Sequence, residues 1–381
     1  MRTHTVRHGL RPRLLRATIA ATAIVMATLP GDAHKPITSP FTFNEDVFPI
    51  VREHCGSCHV RGGPAPMSLL THGDAVPWGE SLKLELIAGH MPPWQVDAGA
   101  GFSNVHTLTG RELNVLLTWA AGGTPPGSPD RTPPALSYER RWPLGAPDLV
   151  LEPATPYTMP AGTLDATHEI TIATGLKEER WLRAADLLPD AAPAVRSASI
   201  SLRHPSATEA TSEDLLALWV AGDRPVAVDG AGIRLPAGAE LTVRIHYRKT
   251  WEYEQTAITD RSAIGLYFTD VARPLQRVAL TARHTIADPI DALAVYPDPR
   301  LSGVRARVIA LLPDGTRTEL IAFRPRTDWA RRYWFRQPIA LPRGTVLETT
   351  IAPDDASLLP PGVSPPPAET GGLVLNYVTR Q

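Results

Sequence analysis

Apolar residues before the two cysteines of the chain recur at helical spacing. Phe48, Val51 and Cys55 are separated by three and four residues, which predicts a helix that carries the first cysteine at its end. Asn44 or Asp46 is the expected N-cap of this helix. Proline at position 49 is compatible with the first turns of a helix, because the amide hydrogen that it lacks has no helical partner there.

A second helix is predicted after residue 108. The run Thr109-Gly110-Arg111-Glu112 has the capping-box pattern, and Gly122 stands at the position of a C-cap glycine. Trp119 is expected to fill the core, and packing against the edge of a haem is the alternative. The apolar stripe of this helix consists of Leu113, Leu116, Leu117 and Ala120.

The pattern changes to strands from residue 149 onward. Residues 240–248 alternate between apolar and polar side chains, which predicts a strand with one buried face. Pro313-Asp314-Gly315 lies between two apolar runs and predicts a hairpin. This pattern of short strands and turns indicates antiparallel β-sandwiches.

Residues 127–148 are rich in proline and lack apolar periodicity, so they are predicted to form a semi-rigid linker.

Composition and the N-terminal segment predict where the protein is located. The chain has 381 residues, 43% hydrophobic and 20% charged, with a formal net charge of -1, and this balance gives no attraction for nucleic acid. Residues 1–33 join a basic segment to a short apolar run that ends in small residues, as a signal peptide does. We therefore expect a periplasmic or secreted protein with no membrane span after cleavage near Ala33. The alternative is an uncleaved N-terminal anchor.

The only two cysteines occur in Cys55-Gly56-Ser57-Cys58-His59. This spacing lets both thiols form thioether bonds to haem vinyl groups while His59 becomes the proximal iron ligand. A zinc site would need two more ligands, and no second cysteine pair exists. A redox dithiol would not explain His59. The motif therefore predicts one covalent haem c.

A distal ligand to the haem iron is expected on a later loop. Met91 is followed by two prolines that cannot continue a helix, and a thioether ligand there would make the iron six-coordinate. Met67, His72 and His90 are the alternatives.

Two phrases, "FTFNEDVFPIVREHCGSCH" and "LTGRELNVLLTWAAGGTPPG", resemble the small cytochrome c domain that many secreted bacterial proteins place before a copper monooxygenase-like module. The likeness covers residues 41–126. It implies a small all-α domain, assigned to residues 36–126, with one haem c.

The second half resembles the type II copper, ascorbate-dependent monooxygenases, the peptidylglycine α-hydroxylating and dopamine β-monooxygenase group. The likeness rests on "IRLPAGAELTVRIHYRKT" and "LLPDGTRTELI". It implies two tandem all-β jelly-roll domains, at residues 149–270 and 271–381. The whole chain is thus expected to be multidomain.

The copper ligands of that family can be checked position by position. Its adjacent histidine pair falls on Arg196 and Ser197, and its His-x-His pair falls on Asp298 and Arg300. Its methionine position lies in a C-terminal stretch that contains no methionine. His246 matches the remaining ligand. Five of six ligands are missing, which argues against copper and makes His246 a histidine of the sheet surface.

The resulting hypothesis is a monohaem c-type cytochrome that transfers electrons to or from a redox partner protein. Its β half would be a pseudoenzyme module used for docking or ligand binding, with no catalytic residues predicted. One alternative is a haem-coupled copper monooxygenase, and another is a haem-based sensor or scaffold. A hydrolase triad of Ser197, Asp298 and His246 is rejected, because only alignment brings these residues together.

Overall fold

The structure is a computed structural model of the chain. Residues 39–381 form one compact unit. The structure describes residues 38–93, 96–105, 107–203, 215–270, 273–298, 301, 303–326, 329–353 and 372–380. The predicted signal peptide, residues 1–33, lies outside them. Among the described residues, no helix has both the length and the apolar character needed to cross a membrane.

The helices in this part of the chain are short. The longest has 12 residues and opens on the predicted capping box, in which the Thr109 hydroxyl accepts a hydrogen bond from the Glu112 amide. Its Trp119 is fully buried, as expected. The α-helices are α1 Phe48–His54, α2 His72–Ala75, α3 Gly79–Ile87 and α4 Gly110–Ala121; a π-helical turn covers Phe43–Val47, and 3-10 turns cover Val76–Trp78, Pro129–Arg131 and Trp251–Tyr253.

Strands make up most of the ordered structure. They are β1 Val96–Gly99, β2 Leu149–Leu151, β3 Tyr157–Met159, β4 Asp165–Ala173, β5 Arg180–Leu188, β6 Val195–Leu202, β7 Leu215–Val220, β8 Ala231–Leu235, β9 Glu240–Arg248, β10 Ile258–Asp260, β11 Ala263–Thr269, β12 Arg273–Pro274, β13 Gln276–Leu280, β14 Arg283–Thr285, β15 Ile290–Pro297, β16 Val304–Leu311, β17 Arg317–Phe323, β18 Tyr333–Leu341, β19 Val346–Pro353 and β20 Leu373–Thr379.

These strands pair into five sheets within the described residues. Their orders are β12-β8-β5-β11-β2, β4-β9-β6-β7, β1-β17-β16-β19-β14, β13-β20-β15-β18 and β10-β3. The first two sheets bury a shared central core, and the next two bury a shared C-terminal core. A helical core lies under α1 and α4 around Phe43, Leu116 and Trp119.

Alternation of side chains explains the strands that were predicted. In β9, the apolar residues Leu241, Val243, Ile245 and Tyr247 are buried, while the intervening polar residues face outward. The hairpin is also confirmed, since β16 and β17 pair antiparallel around Gly315, whose φ of 86° is one that glycine adopts without strain.

The predicted fold class is wrong. The chain is mostly β-sheet, and no small all-α domain precedes the sheets: β1 lies inside residues 36–126 and pairs with β17, more than 200 residues later. Phe102, from the same segment, is buried in the C-terminal core. Residues 36–126 do not form an all-α domain, because they supply an edge strand to a C-terminal sheet.

The start of the first helix also differs from the prediction. Helical turns begin at Phe43 with Thr42 as N-cap, so neither Asn44 nor Asp46 caps them. The Asp46 carboxylate instead accepts a hydrogen bond from the Thr42 amide, at 2.8 Å, from inside the first turn. Pro49 lies near the start of α1, where the prediction placed it.

Asp186 on β5 is a buried acid whose titration should be visible in stability. Burial raises its pKa to about 7, and the negative charge of Asp223 adds to this effect. Because the unfolded state releases the proton near the ordinary value of 3.8, the free energy of unfolding should fall as pH rises from about 4 to 7.

Replacing Asp186 by asparagine should remove that part of the fall. We expect the stability of the variant, relative to the unmodified protein, to rise by about 2–4 kcal/mol between pH 4 and pH 8, since one pKa unit corresponds to about 1.4 kcal/mol. Urea unfolding across this pH range measures the difference. Asp229→Asn, at an exposed position, is the matched control, and an equal pH dependence in both variants would contradict the prediction.

Candidate functional site

The turn after α1 presents the two cysteines and His59 to one cavity. The amides of Cys58 and His59 both donate to the carbonyl oxygen of Cys55, at 3.1 and 2.8 Å. Gly56 permits this tight turn, because a Cβ atom there would lie 2.6 Å from the carbonyl oxygen of Arg52. The turn brings the three motif residues to one wall.

The cavity has a volume of about 390 Å³ and is lined mostly by apolar side chains. A volume of this size lies within the range of about 300–1,000 Å³ found for small-molecule and cofactor sites. The apolar side chains come from the loop after His59, from α3 and α4, and from the loop after α3. They include Leu69, Trp78, Leu82, Leu86, Leu116 and Pro93.

The His59 ring is oriented by a backbone hydrogen bond. Its Nδ1 atom lies 3.2 Å from the carbonyl oxygen of Met67. Since a carbonyl only accepts, Nδ1 carries the proton and Nε2 keeps its lone pair, which is the arrangement of metal-ligating histidines. Burial lowers the pKa of His59, which also favours the neutral ring.

The two thiols are in a setting unlike that of a redox dithiol. Burial raises the pKa of Cys55 to about 12 and that of Cys58 to about 11. In redox-active Cys-x-x-Cys sites the thiolate is stabilised and the pKa is lowered. The motif here holds neutral thiols against an apolar cavity.

The structure separates the four candidate distal ligands. Met91 and Met67 both line the cavity. His72 bonds the carbonyl oxygen of Thr124 through Nε2 at 2.8 Å and does not line it. His90 is half-exposed and pairs with the Glu85 carboxylate at 3.1 Å. A sulfur ligand is therefore better placed than either histidine, and Met91 as that ligand stays a prediction.

The sheets also contribute to this cavity, which sequence reasoning missed. The outward face of β6 and β9 covers it near the end of β9, where His246 and Arg248 line the wall together with Arg196. The His246 side chain is 22% exposed, and its Nε2 lies 3.1 Å from the Asp165 carboxylate. His246 lies on the outward face of β9, as predicted, but neighbouring residues cover most of its side chain.

The positions that match the monooxygenase copper ligands are partly brought together. Ser197 on β6 pairs directly with His246 on β9, and Arg196 precedes it. Asp298 follows β15 in another sheet, and Arg300 lies outside the described residues. Throughout the described part of the chain, no group of three or more histidine, cysteine, aspartate or glutamate side chains is arranged to hold a metal ion.

Cys58 packs closely against the loop after β7. Its sulfur donates to the carbonyl oxygen of Ala221 at 3.5 Å, and Gly222 lies beside it with a φ of 79°. A Cβ atom at Gly222 would collide with the sulfur. This contact joins the motif directly to the sheets.

We expect Gly222→Ala to destabilise the protein more than Gly230→Ala. Both positions have positive φ, which costs a non-glycine residue roughly 1–2 kcal/mol, but a Cβ at Gly230 meets open space. The collision with Cys58 should add roughly 1–3 kcal/mol for Gly222. Urea unfolding of the two variants gives the comparison. Equal losses in the free energy of unfolding would show that Gly222 and Cys58 are not closely packed.

Comparison with known proteins assigns no family. No family model matches the chain, and no curated protein matches it. Among the solved structures that match is the turret protein A223 of Sulfolobus turreted icosahedral virus, at 10% identity and a TM-score of 0.16, with 61% of this chain and 99% of that chain covered. A Paenibacillus xanthan lyase matches at 9% identity and a TM-score of 0.15, with 68% of this chain and 28% of that chain covered. Bacillus subtilis oxalate decarboxylase matches at 8% identity and a TM-score of 0.13, with 66% of this chain and 80% of that chain covered. Similarity this low carries no argument about function.

Proposed function

We propose that this protein is an exported monohaem c-type cytochrome that transfers electrons. Cys55 and Cys58 would tether the haem through thioether bonds, His59 would bind the iron through Nε2, and Met91 would be its second protein ligand. The single observation that carries the proposal is the convergence of these four residues on one mostly apolar cavity.

The residues present fit a covalent haem. The cavity has the size of a cofactor site, both thiols face an apolar space, and His59 has its Nδ1 hydrogen committed to the Met67 carbonyl. When bound, haem supplies an iron that exchanges one electron between its ferrous and ferric states.

The side chains around the cavity favour electron transfer. The Met67 carbonyl holds the His59 ring in one orientation, and Leu82 and Leu116 contribute to an apolar wall. A thioether ligand and an apolar surrounding both raise the reduction potential of a haem. The net charge of -1 supports docking to a redox partner protein without strong electrostatic steering.

The relation of the β-rich part to the copper monooxygenases remains part of the proposal. Arg196 and Ser197 stand beside His246 where that family has further histidines, and a fixed positive charge opposes a copper ion. We therefore propose that the β-rich part has a docking or binding role and performs no copper-dependent hydroxylation.

Carbon monoxide binding tests the proposal against a haem sensor. The protein is matured in a host with a cytochrome c assembly system, reduced and exposed to carbon monoxide. A six-coordinate cytochrome with a methionine ligand should titrate as a one-electron couple and leave its ferrous spectrum unchanged by the gas. Rapid formation of a carbon monoxide complex would indicate an open iron position and favour the sensor.

A further inference from the structure

The part of the cavity wall that comes from the sheets is rich in positive charge. Four cationic residues line the cavity from this side, in addition to His246. They are Arg196, Arg248, Lys249 and Arg326. Glu85 is the one acidic residue among the described lining residues, and it pairs with His90. A mostly apolar cavity with such a wall is suited to a flat apolar ligand that carries anionic groups.

Lys249 and Arg196 make hydrogen bonds to backbone carbonyl oxygens. Lys249 is buried, and its ammonium donates to the carbonyl oxygens of Pro160 and Thr256, both at 2.6 Å. Arg196 donates to the carbonyl oxygens of Pro64 and Pro193, next to the motif. These contacts tie Lys249 to the loops after β3 and before β10, and Arg196 to the segment that follows the motif.

Arg248 and Arg326 differ from these two in exposure. Both residues line the cavity and both are exposed, so they belong to the part of its wall that solvent reaches. Trp251 and Trp329, each three residues after one of these arginines, line the same cavity. The two arginines come from different segments, one from the end of β9 and the other from the loop after β17.

The chemistry of haem c supplies the matching anions. The vinyl groups that react with cysteines and the two propionates lie on opposite edges of the porphyrin, so a haem tethered at Cys55 and Cys58 directs its carboxylates away from the tethers. Arginine binds carboxylates through paired, charge-assisted hydrogen bonds. We propose that Arg248 and Arg326 bind the haem propionates. This inference rests on the proposed function.

The assignment gives the sheets a direct part in haem binding. The motif segment would hold the tethered edge and the iron, while β9 and the loop after β17 would hold the anionic edge. Gly222, in the loop after β7, packs against the Cys58 sulfur, so the tethered edge of the haem would also lie against the β-rich part. The haem site would then be complete only when the sheets are folded.

The test compares Arg248→Gln and Arg326→Gln with Arg244→Gln in the full chain. Arg244 shares the outward face of β9 with Arg248 and does not line the cavity, so its loss changes the net charge equally. Removing a cation next to a propionate favours ferric iron. We expect the ferrous-to-ferric ratio at a fixed applied potential to fall about three- to tenfold in each of the two variants and much less in the control.

A vibrational measurement and a conservative variant separate binding from general electrostatics. The propionate bending bands in the resonance Raman spectrum should shift in both glutamine variants and stay in place in Arg244→Gln. Arg248→Lys should restore most of the ferrous-to-ferric ratio. If haem is bound but both variants match the control, this inference is wrong and the proposed function stands. If the unmodified protein binds no covalent haem, both are wrong.

Discussion

Replacing both Cys55 and Cys58 by alanine is expected to abolish haem that survives denaturation. The thioether bonds are the only covalent links that the motif offers, and the chain contains no other cysteine. After maturation in a host with a cytochrome c assembly system, haem staining of a denaturing gel should detect the unmodified chain and give less than about 1% of that signal in the double variant.

Ser57→Ala is the matched control for this experiment. Ser57 lies between the two cysteines and is exposed, so its loss leaves both tethers intact. The control should stain as strongly as the unmodified protein, and each single cysteine variant should retain less haem through its one remaining bond. Equal staining of the double variant and the control would mean that haem is attached elsewhere.

Replacing Met91 by alanine is expected to lower the midpoint potential by on the order of 0.1–0.3 V. Axial ligands set haem potentials over a range of about 0.8 V, and methionine with histidine gives values at its upper end. Loss of the thioether should also open an iron position, so the ferrous variant should bind carbon monoxide. Spectroelectrochemical titration and gas binding measure the two effects.

Met67→Leu tests the other methionine of the cavity. The His59 ring donates its hydrogen bond to the main-chain carbonyl oxygen of Met67, so the substitution leaves the orientation of the ring unchanged. We expect its midpoint potential to stay close to that of the unmodified protein. If Met67→Leu lowers the potential strongly and Met91→Ala does not, Met67 is the iron ligand.

Features that depend on neighbouring residues could be predicted from the sequence. The capping box at Thr109 depends on spacing alone, and it is present. The buried face of β9 and the hairpin around Gly315 also follow from local alternation and turn chemistry. Likewise, the cysteine motif and Met91 could be singled out, because each offers a specific chemistry.

Features that depend on distant pairing could not be predicted. The four residues of β1 have no strand periodicity of their own, and their backbone hydrogen bonds are satisfied only by β17. For the same reason, no local pattern showed that the outward face of β9 would cover the cavity. Arg248 and Arg326 are far apart in the sequence, so the cavity that both line appears only in the folded chain.

Metal content per chain tests the central claim most directly. The full protein is matured in a host with a cytochrome c assembly system, exposed to excess copper, desalted and measured for iron and copper, before and after denaturation and gel filtration. The account predicts one iron per chain that remains with the denatured polypeptide, and no retained copper. Absence of iron, or iron lost on denaturation, would contradict the covalent haem, and one retained copper per chain would contradict the loss of the copper site.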